Sequence, residues 1–200
     1  MSFRRALTIL PIIVLTCGLV DLARAQPIAP PKPAAKGPVK PEPKPPAAVP
    51  GAEPSLIGQF GSWGAYTATP NGKKVCFALA KPTSSKTNPP NRPRDPAYAF
   101  VSTRPAEKVV NEVSVMIGYT LKPGSESTLE VGGASFAMYT QGDGLWIKNA
   151  AEEERMVEAM RRSPDAVVKG VSAKGTETTD TYSLKGLSQA LDRIAQDCRR

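Results

Sequence analysis

The sequence predicts a mainly β domain, an antiparallel β-sandwich or barrel-like fold with one surface helix and a C-terminal helix. Two observations support this class. From residue 56 to residue 184, short segments rich in Val, Thr and aromatic residues alternate with turns that contain Gly, Pro or Asn. After residue 56, helical periodicity is limited to residues 149–162 and residues 187–198. We therefore place one β domain at residues 56–200.

The first 25 residues predict a cleaved secretory signal peptide. Two arginines precede an apolar run from Ala6 to Val20, and the small-x-small sequence ARA follows at residues 23–25. Because this run is shorter than the roughly 20 apolar residues of a membrane-spanning helix, we expect no transmembrane helix. Lipid attachment at Cys17 is the alternative, disfavoured by the bulk of Thr16 before it.

Residues 26–55 predict a disordered Pro/Lys/Ala-rich linker. Eleven prolines lie between Gln26 and Pro54. Because proline fixes φ and lacks a backbone donor, such a segment is expected to be an extended spacer rather than a helix or strand. Two interpretations stay open: a tether that holds the domain away from another surface, and an inert leader.

Charge and composition argue against several function classes. The net charge of +8 falls to +4 over residues 56–200, which carry 19 basic and 15 acidic side chains. No basic stripe is interleaved with aromatic residues, so nucleic-acid binding is not expected. The chain has no histidine, which removes Ser-His-Asp triads, Cys-His dyads and imidazole-rich metal sites. We expect no catalytic residue, cofactor or metal site.

Removal of the signal peptide leaves two cysteines, Cys76 and Cys198. In an oxidising compartment, an even pair predicts a disulfide, with two unrelated buried thiols as the alternative. Such a bond would connect the early strands to the last helix.

The first half of the domain predicts short strands and one long loop. QFGSWGAYTAT at residues 59–69 and KKVCFALA at residues 73–80 are strand-like, and the PNG sequence between them predicts a hairpin turn. KPTSSKTNPPNRPRDP at residues 81–96 is too rich in Pro and polar residues for a helix or a central strand. We expect an exposed loop there, either a binding site or a tolerated surface insertion.

Further strands are predicted in AYAFVST (residues 97–103), VVNEVSVMIGYTL (109–121), TLEVGG (128–133), ASFAMYTQ (134–141) and LWIKNA (145–150). In the second of these, Val113, Val115 and Ile117 alternate with other residues, as in a strand with one buried face. Five aromatic residues of the strands are expected in the core rather than on a carbohydrate-binding platform: Trp63, Phe77, Phe100, Phe136 and Trp146.

Residues 149–162 predict a surface helix. Asn149 is placed to cap it and Glu152 to complete a capping box. The consecutive glutamates at residues 152–154 suit the positive end of the helix dipole, which explains them without invoking catalysis. Its narrow apolar stripe consists of Met156, Val157 and Met160.

The C-terminal stretch predicts two strands and a closing helix. AVVKGVSA at residues 166–173 turns at Lys174-Gly175 and returns as TETTDTYSL at residues 176–184. An apolar i, i+3, i+4, i+7 pattern follows from Leu187, which places Cys198 on the core side of the last helix. The TDTY run is interpreted as strand-pairing chemistry rather than an active site.

This stretch resembles the invasion-associated locus B family of exported bacterial proteins. The resemblance rests on VKGxSAKGTxTTDTYSLxGxxxAL at residues 168–191, on the FGSW sequence at residues 60–63, on Cys76, and on an export signal followed by a Pro/Lys-rich leader. It spans residues 56–198. The resemblance implies a mostly β domain associated in some pathogens with host-cell entry, without an assigned activity or ligand. Many relatives carry additional cysteines, and with two mature cysteines a second bridge is excluded here.

We therefore expect an exported, non-enzymatic protein that lies in the periplasm or is secreted and is virulence-associated. Its partner would be a protein or an envelope surface, with a host-cell surface as a further option. The alternative is a cell-wall or glycan hydrolase with a carboxylate pair. Its test is geometric, because such pairs lie about 5–10 Å apart in a concave pocket.

Overall fold

The computed structural model of the protein describes residues 53–199. The predicted signal peptide and most of the predicted linker lie outside these residues. Within the described part of the chain, no helix is long and apolar enough to cross a membrane. The strands are β1 (Ser55–Phe60), β2 (Trp63–Ala68), β3 (Val75–Ala80), β4 (Ser84–Asn88), β5 (Tyr98–Arg104), β6 (Val109–Met116), β7 (Ser127–Val131), β8 (Ala134–Gln141), β9 (Gly144–Ile147), β10 (Asp165–Val171) and β11 (Glu177–Ser183). The two α-helices are α1 (Glu153–Arg162) and α2 (Leu187–Cys198).

All eleven strands belong to one sheet, in the order β1-β2-β3-β5-β6-β9-β8-β7-β10-β11-β4, and every pair is antiparallel. The sheet curls so that its two ends meet. Trp63 Nε1, on β2, donates to the carbonyl of Ser183, at the end of β11, at 2.9 Å. The predicted mainly antiparallel β fold with an internal and a C-terminal helix is therefore confirmed.

The core lies on the inner face of this curved sheet. Val113, Val115 and Ile117 are fully buried, as their alternation predicts. Helix α2 packs on β1, β2 and β3 and buries Leu187, Ala190, Leu191 and Ile194. Each large aliphatic side chain buried in this way contributes roughly 1.5–3 kcal/mol, which explains why the helix closes the domain rather than fraying.

A disulfide joins Cys76, on β3, to Cys198, the last residue of α2, with a Cα–Cα distance of 6.0 Å. Both residues lie in the buried part of the domain. The side chain of Lys74 adds a second link between the same elements, because its Nζ donates to the carbonyl of Asp197 at 2.7 Å. The end of the chain is therefore held on the sheet by a covalent and a polar contact.

The surface helix differs from its prediction at the N-terminus. A 3-10 turn at Ala150–Glu152 precedes α1, and Asn149 Oδ1 accepts from the N–H of Ala151 at 3.2 Å. Glu152 does not complete a capping box and instead contacts Arg155 at 2.5 Å. A charge-assisted hydrogen bond to a guanidinium is stronger than one to a neutral backbone N–H. The predicted stripe of Met156, Val157 and Met160 is buried.

Two sequence predictions about strand boundaries were wrong. The segment at residues 59–69 is not one strand, because Gly61, at φ +54°, turns the chain between β1 and β2. The predicted loop at residues 81–96 contains strand β4, which pairs with β11. As the edge strand, β4 needs partners on one side alone, so its exposed Ser, Lys and Thr side chains and the prolines after it are tolerated.

The C-terminal hairpin follows its prediction. Strands β10 and β11 pair over their full lengths, from Asp165 opposite Ser183 to Val171 opposite Glu177. Gly175 adopts a φ of +80° in the turn between them. Along β11, alternate residues face inward: Thr178, Asp180 and Tyr182 are all buried.

Candidate binding face

The outer face of the sheet carries a row of apolar side chains that the core does not cover. Along β3 and β5, buried residues alternate with partly exposed ones, and the partly exposed positions include Phe77, Leu79, Tyr98 and Phe100. Strand register places the large side chains side by side, with Tyr66 opposite Phe77 and Tyr139 opposite Trp146. We call this set the aromatic face, and it consists of Tyr66, Phe77, Leu79, Tyr98, Phe100, Met116, Tyr139 and Trp146.

At the β2 end of the aromatic face, four rings form a continuous row. The ring centroids of Tyr66 and Phe77 lie 5.3 Å apart at an interplanar angle of 13°. Phe77 lies 6.0 Å from Phe100, which lies 6.3 Å from Tyr98. These centroid separations lie within the range of favourable aromatic pairs. Each such pair stabilises a protein by about 0.5–1.5 kcal/mol in addition to the effect of burying its apolar surface. The rings therefore hold one another in fixed positions.

At the β8 end, Tyr139 and Trp146 stack with centroids 5.7 Å apart at 22°. Tyr139 is 45% exposed. The indole of Trp146 lies directly over Gly144, so that a β-carbon at this position would overlap the ring. Tyr66 covers Gly64 in the same way, with a ring carbon 2.7 Å from where a β-carbon would be. Because Gly64 and Gly144 have no side chain, the rings of Tyr66 and Trp146 can pack directly against the backbone of the sheet.

The prediction that five aromatic residues belong to the core was right for two of them. Trp63 and Phe136 are buried, at 0% and 1% exposure. Phe77, Phe100 and Trp146 instead lie partly exposed on the outer face. The sequence pattern did not separate the two groups, because strands such as β3 are apolar at every position and the buried face is selected by α2.

A groove of about 420 Å³ lies at the edge of the aromatic face, between the turn before β7 and strand β8. We call it the outer groove. Tyr139 forms its aromatic wall, and hydroxyl, carboxyl and ammonium groups line it together with Gly124, Ala137 and Met138. Its polar and aromatic lining includes Ser125, Glu126, Thr128, Tyr139, Thr140 and Lys148.

Two lysines on this face have no acidic partner within 4.0 Å among residues 53–199. Lys81 Nζ lies 5.5 Å from the ring centroid of Tyr98, and Lys148 lines the outer groove. By contrast, Glu112 is paired with Arg104 at 2.9 Å, and Glu130 with Lys169 at 2.8 Å. Hydrogen bonds to the carboxylates of Glu112 and Glu107 hold the pKa of Arg104 above its usual range.

The aspartate of the TDTY run is a structural residue. Asp180 is fully buried and accepts two hydrogen bonds from Arg94, one of them at 2.8 Å from Nη1. The same guanidinium donates to the carbonyl of Ile117 at 3.1 Å and to Ser85 Oγ at 2.9 Å. The pair thereby fastens the segment after β4 to the C-terminal hairpin. Sequence reasoning did not identify Arg94, because no local pattern distinguishes it from other loop arginines.

Two tyrosines flank this ion pair. The hydroxyl of Tyr119 lies 2.6 Å from Thr178 Oγ1, and burial raises the pKa of Tyr119. The hydroxyl of Tyr182 is buried without a protein partner. Burial, and then the charge of Asp180, raise the pKa of Tyr182. Both side chains therefore stay neutral at physiological pH.

Carboxylates line a second concavity, of about 550 Å³, between β6 and α1. Glu153 Oε1 accepts from the backbone N–H of Val113 at 2.8 Å, and burial raises the pKa of Glu153 above its ordinary value. Glu154 and Glu158 lie on the same wall. The helix-dipole argument therefore explained the position of Glu153 in the sequence but did not predict that its side chain is partly buried.

A protein-family model described as "Invasion associated locus B (IalB) protein" matches residues 63–195. The chain belongs to this family. No curated protein matches the chain, and no solved structure matches it.

Within this member of the invasion associated locus B family, the matched residues include the whole aromatic face, the outer groove and the Arg94–Asp180 pair. The FGS part of the FGSW sequence and Cys198 lie outside the match. The suspected family is confirmed, and the aromatic face is part of the region that defines the match.

Proposed function

We propose that this member of the invasion associated locus B family is an exported, non-enzymatic protein that acts by binding a partner through its aromatic face. The observation that carries the proposal is the row of partly exposed rings from Tyr66 to Trp146 on the outer side of the sheet. Contiguous apolar surface of this kind marks interaction sites in soluble proteins. Export is supported by the signal-peptide pattern of the first 25 residues.

The proposal is tested by comparing retention of the purified mature protein on bacterial envelope fractions and on animal-cell membranes. Tyr139→Ser removes the most exposed ring of the face. Val110→Ser is the matched control, because Val110 is 68% exposed but lies away from the aromatic face, beside α1. We expect the Tyr139→Ser protein to lose retention and the Val110→Ser protein to keep it. Equal retention of both variants on every fraction would contradict the proposal.

A second candidate function is favoured by one observation. Glu153 combines a raised pKa with a place in a concave, carboxylate-lined groove, as a general acid of a glycan hydrolase would. The test is release of reducing ends from purified peptidoglycan between pH 5 and pH 7. Hydrolysis that disappears in the Glu153→Gln protein would support this candidate, and no release by the wild type would exclude it for peptidoglycan.

A further inference from the structure

We propose that the aromatic face and the outer groove together bind a linear, uronic-acid-containing polysaccharide of an animal-cell surface. This inference rests on the proposed function and names the chemistry of its partner. It depends on three features of the outer face: its length, its mixture of rings and hydroxyl groups, and the spacing of its uncompensated charges.

The length of the face suits a chain of several sugar rings. Tyr66 on β2 and Tyr139 on β8 are separated by the strands β3, β5, β6 and β9. Five inter-strand spacings of about 4.8 Å give a span of roughly 24 Å. An extended polymer can follow such a row, whereas a compact small molecule would occupy one or two rings.

The chemistry of the face suits sugars. Pyranose rings present C–H groups on their faces, which pack on the electron-rich faces of aromatic rings. The indole of Trp146 lies across Gly144 and stacks with the ring of Tyr139, and both side chains are at least partly exposed. Next to them, the outer groove supplies the hydroxyls of Ser125 and Thr128 and the carboxyl of Glu126, which can exchange hydrogen bonds with sugar hydroxyls.

The charges favour a polymer with widely spaced anionic groups. Lys81 lies against Tyr98 on β5, whereas Lys148 lies in the outer groove, and the strands β6 and β9 lie between these positions. The acids Glu112 and Glu130 on this face are already paired, and Glu126 in the outer groove has no cation within 4.0 Å among residues 53–199. A face with two separated cations and one unpaired carboxylate complements a chain with a carboxylate on alternate sugars better than a densely sulfated chain, which would bring more negative charge close to Glu126. The matched family is described as invasion associated, and we therefore assign the polysaccharide to the surface of an animal cell.

The test is isothermal titration calorimetry of the mature protein with a hyaluronan decasaccharide, which alternates neutral and uronic-acid sugars. We expect saturable binding by the wild type, and little binding of the neutral oligosaccharide chitohexaose. Tyr139→Ala is expected to weaken hyaluronan binding about five- to tenfold, since one aromatic contact is lost. Lys148→Gln is expected to weaken it a few-fold and to reduce its dependence on salt.

Val110→Ala and Lys174→Gln are the matched controls. Both residues are exposed and lie outside the aromatic face and the outer groove, so their variants should bind as the wild type does. Circular dichroism of each variant separates loss of binding from loss of folding. Equal affinity of Tyr139→Ala and wild-type protein for hyaluronan would refute the site.

Two further outcomes decide the partner. If the protein bound an alginate oligosaccharide but not hyaluronan, the assignment of the polysaccharide to an animal-cell surface would be overturned. Absence of hyaluronan binding would overturn the polysaccharide proposal; if Tyr139-dependent retention on membrane fractions persisted, the proposed function would stand without it. If the protein neither binds hyaluronan nor shows Tyr139-dependent retention on membrane fractions, both proposals are contradicted.

Discussion

Replacing Arg94 with alanine is expected to destabilise the domain strongly. Asp180 has no exposed side-chain surface, and Arg94 is 12% exposed. In Arg94→Ala, the carboxylate of Asp180 would remain buried without its cation and without two of its hydrogen bonds. Removal of one partner of a buried ion pair typically costs about 3–5 kcal/mol.

The free energy of unfolding would be measured by urea denaturation, followed by tryptophan fluorescence and circular dichroism. With a slope of about 1–3 kcal/mol per molar urea, a loss of 3–5 kcal/mol lowers the midpoint by more than about 1 M. Arg162→Ala provides the control, because the Arg162–Glu158 pair is exposed at 77% and 48% of its side chains. That variant is expected to lose no more than about 1 kcal/mol.

The double variant Arg94→Met/Asp180→Leu distinguishes the cost of an uncompensated charge from the value of the pair itself. Replacing both partners with apolar residues is often neutral or stabilising. We therefore expect it to be more stable than Arg94→Ala. If Arg94→Ala lost less than about 1 kcal/mol, the inference that this pair fastens the segment after β4 would be refuted.

Three other predictions follow from the described contacts. Replacing both Cys76 and Cys198 with serine is expected to cost about 2–5 kcal/mol, measured by thermal unfolding, and reductant should then change the melting temperature of the wild type alone. Gly144→Ala places a β-carbon within the indole of Trp146, so we expect a loss of about 1–3 kcal/mol and a shifted tryptophan emission, whereas Gly124→Ala, in an open turn, leaves the emission unchanged. Because the pKa of Glu153 is raised in the folded state, the folded protein holds this proton more tightly than the unfolded chain does, and the wild type should lose stability relative to Glu153→Gln as the pH rises through that pKa. The free energies of unfolding of both proteins would be measured at pH 4 and pH 7, and an equal difference between them at the two pH values would contradict this prediction.

The sequence by itself predicted the elements whose residues interact locally. The hairpin of β10 and β11 was predictable, because strand alternation and the turn at Lys174-Gly175 are local features. The inward face of α2 was predictable from its period, which also placed Cys198 on the core side. The mainly β class follows from such patterns, since alternation and turn spacing need no knowledge of distant contacts, and the family followed from the resemblance of the motif at residues 168–191.

Tertiary structure alone decided which residues form the candidate binding face. Strand β3 is apolar at every position, so alternation could not tell Ala78, which is buried, from Phe77, which is partly exposed. That choice depends on where α2 docks, a contact between residues far apart in the chain. Likewise, β4 becomes a strand because β11 offers it a free edge, and Arg94 meets Asp180 across 86 residues. Long-range contacts of this kind leave no local period in the sequence, which explains why Phe77, Phe100 and Trp146 were predicted to be core.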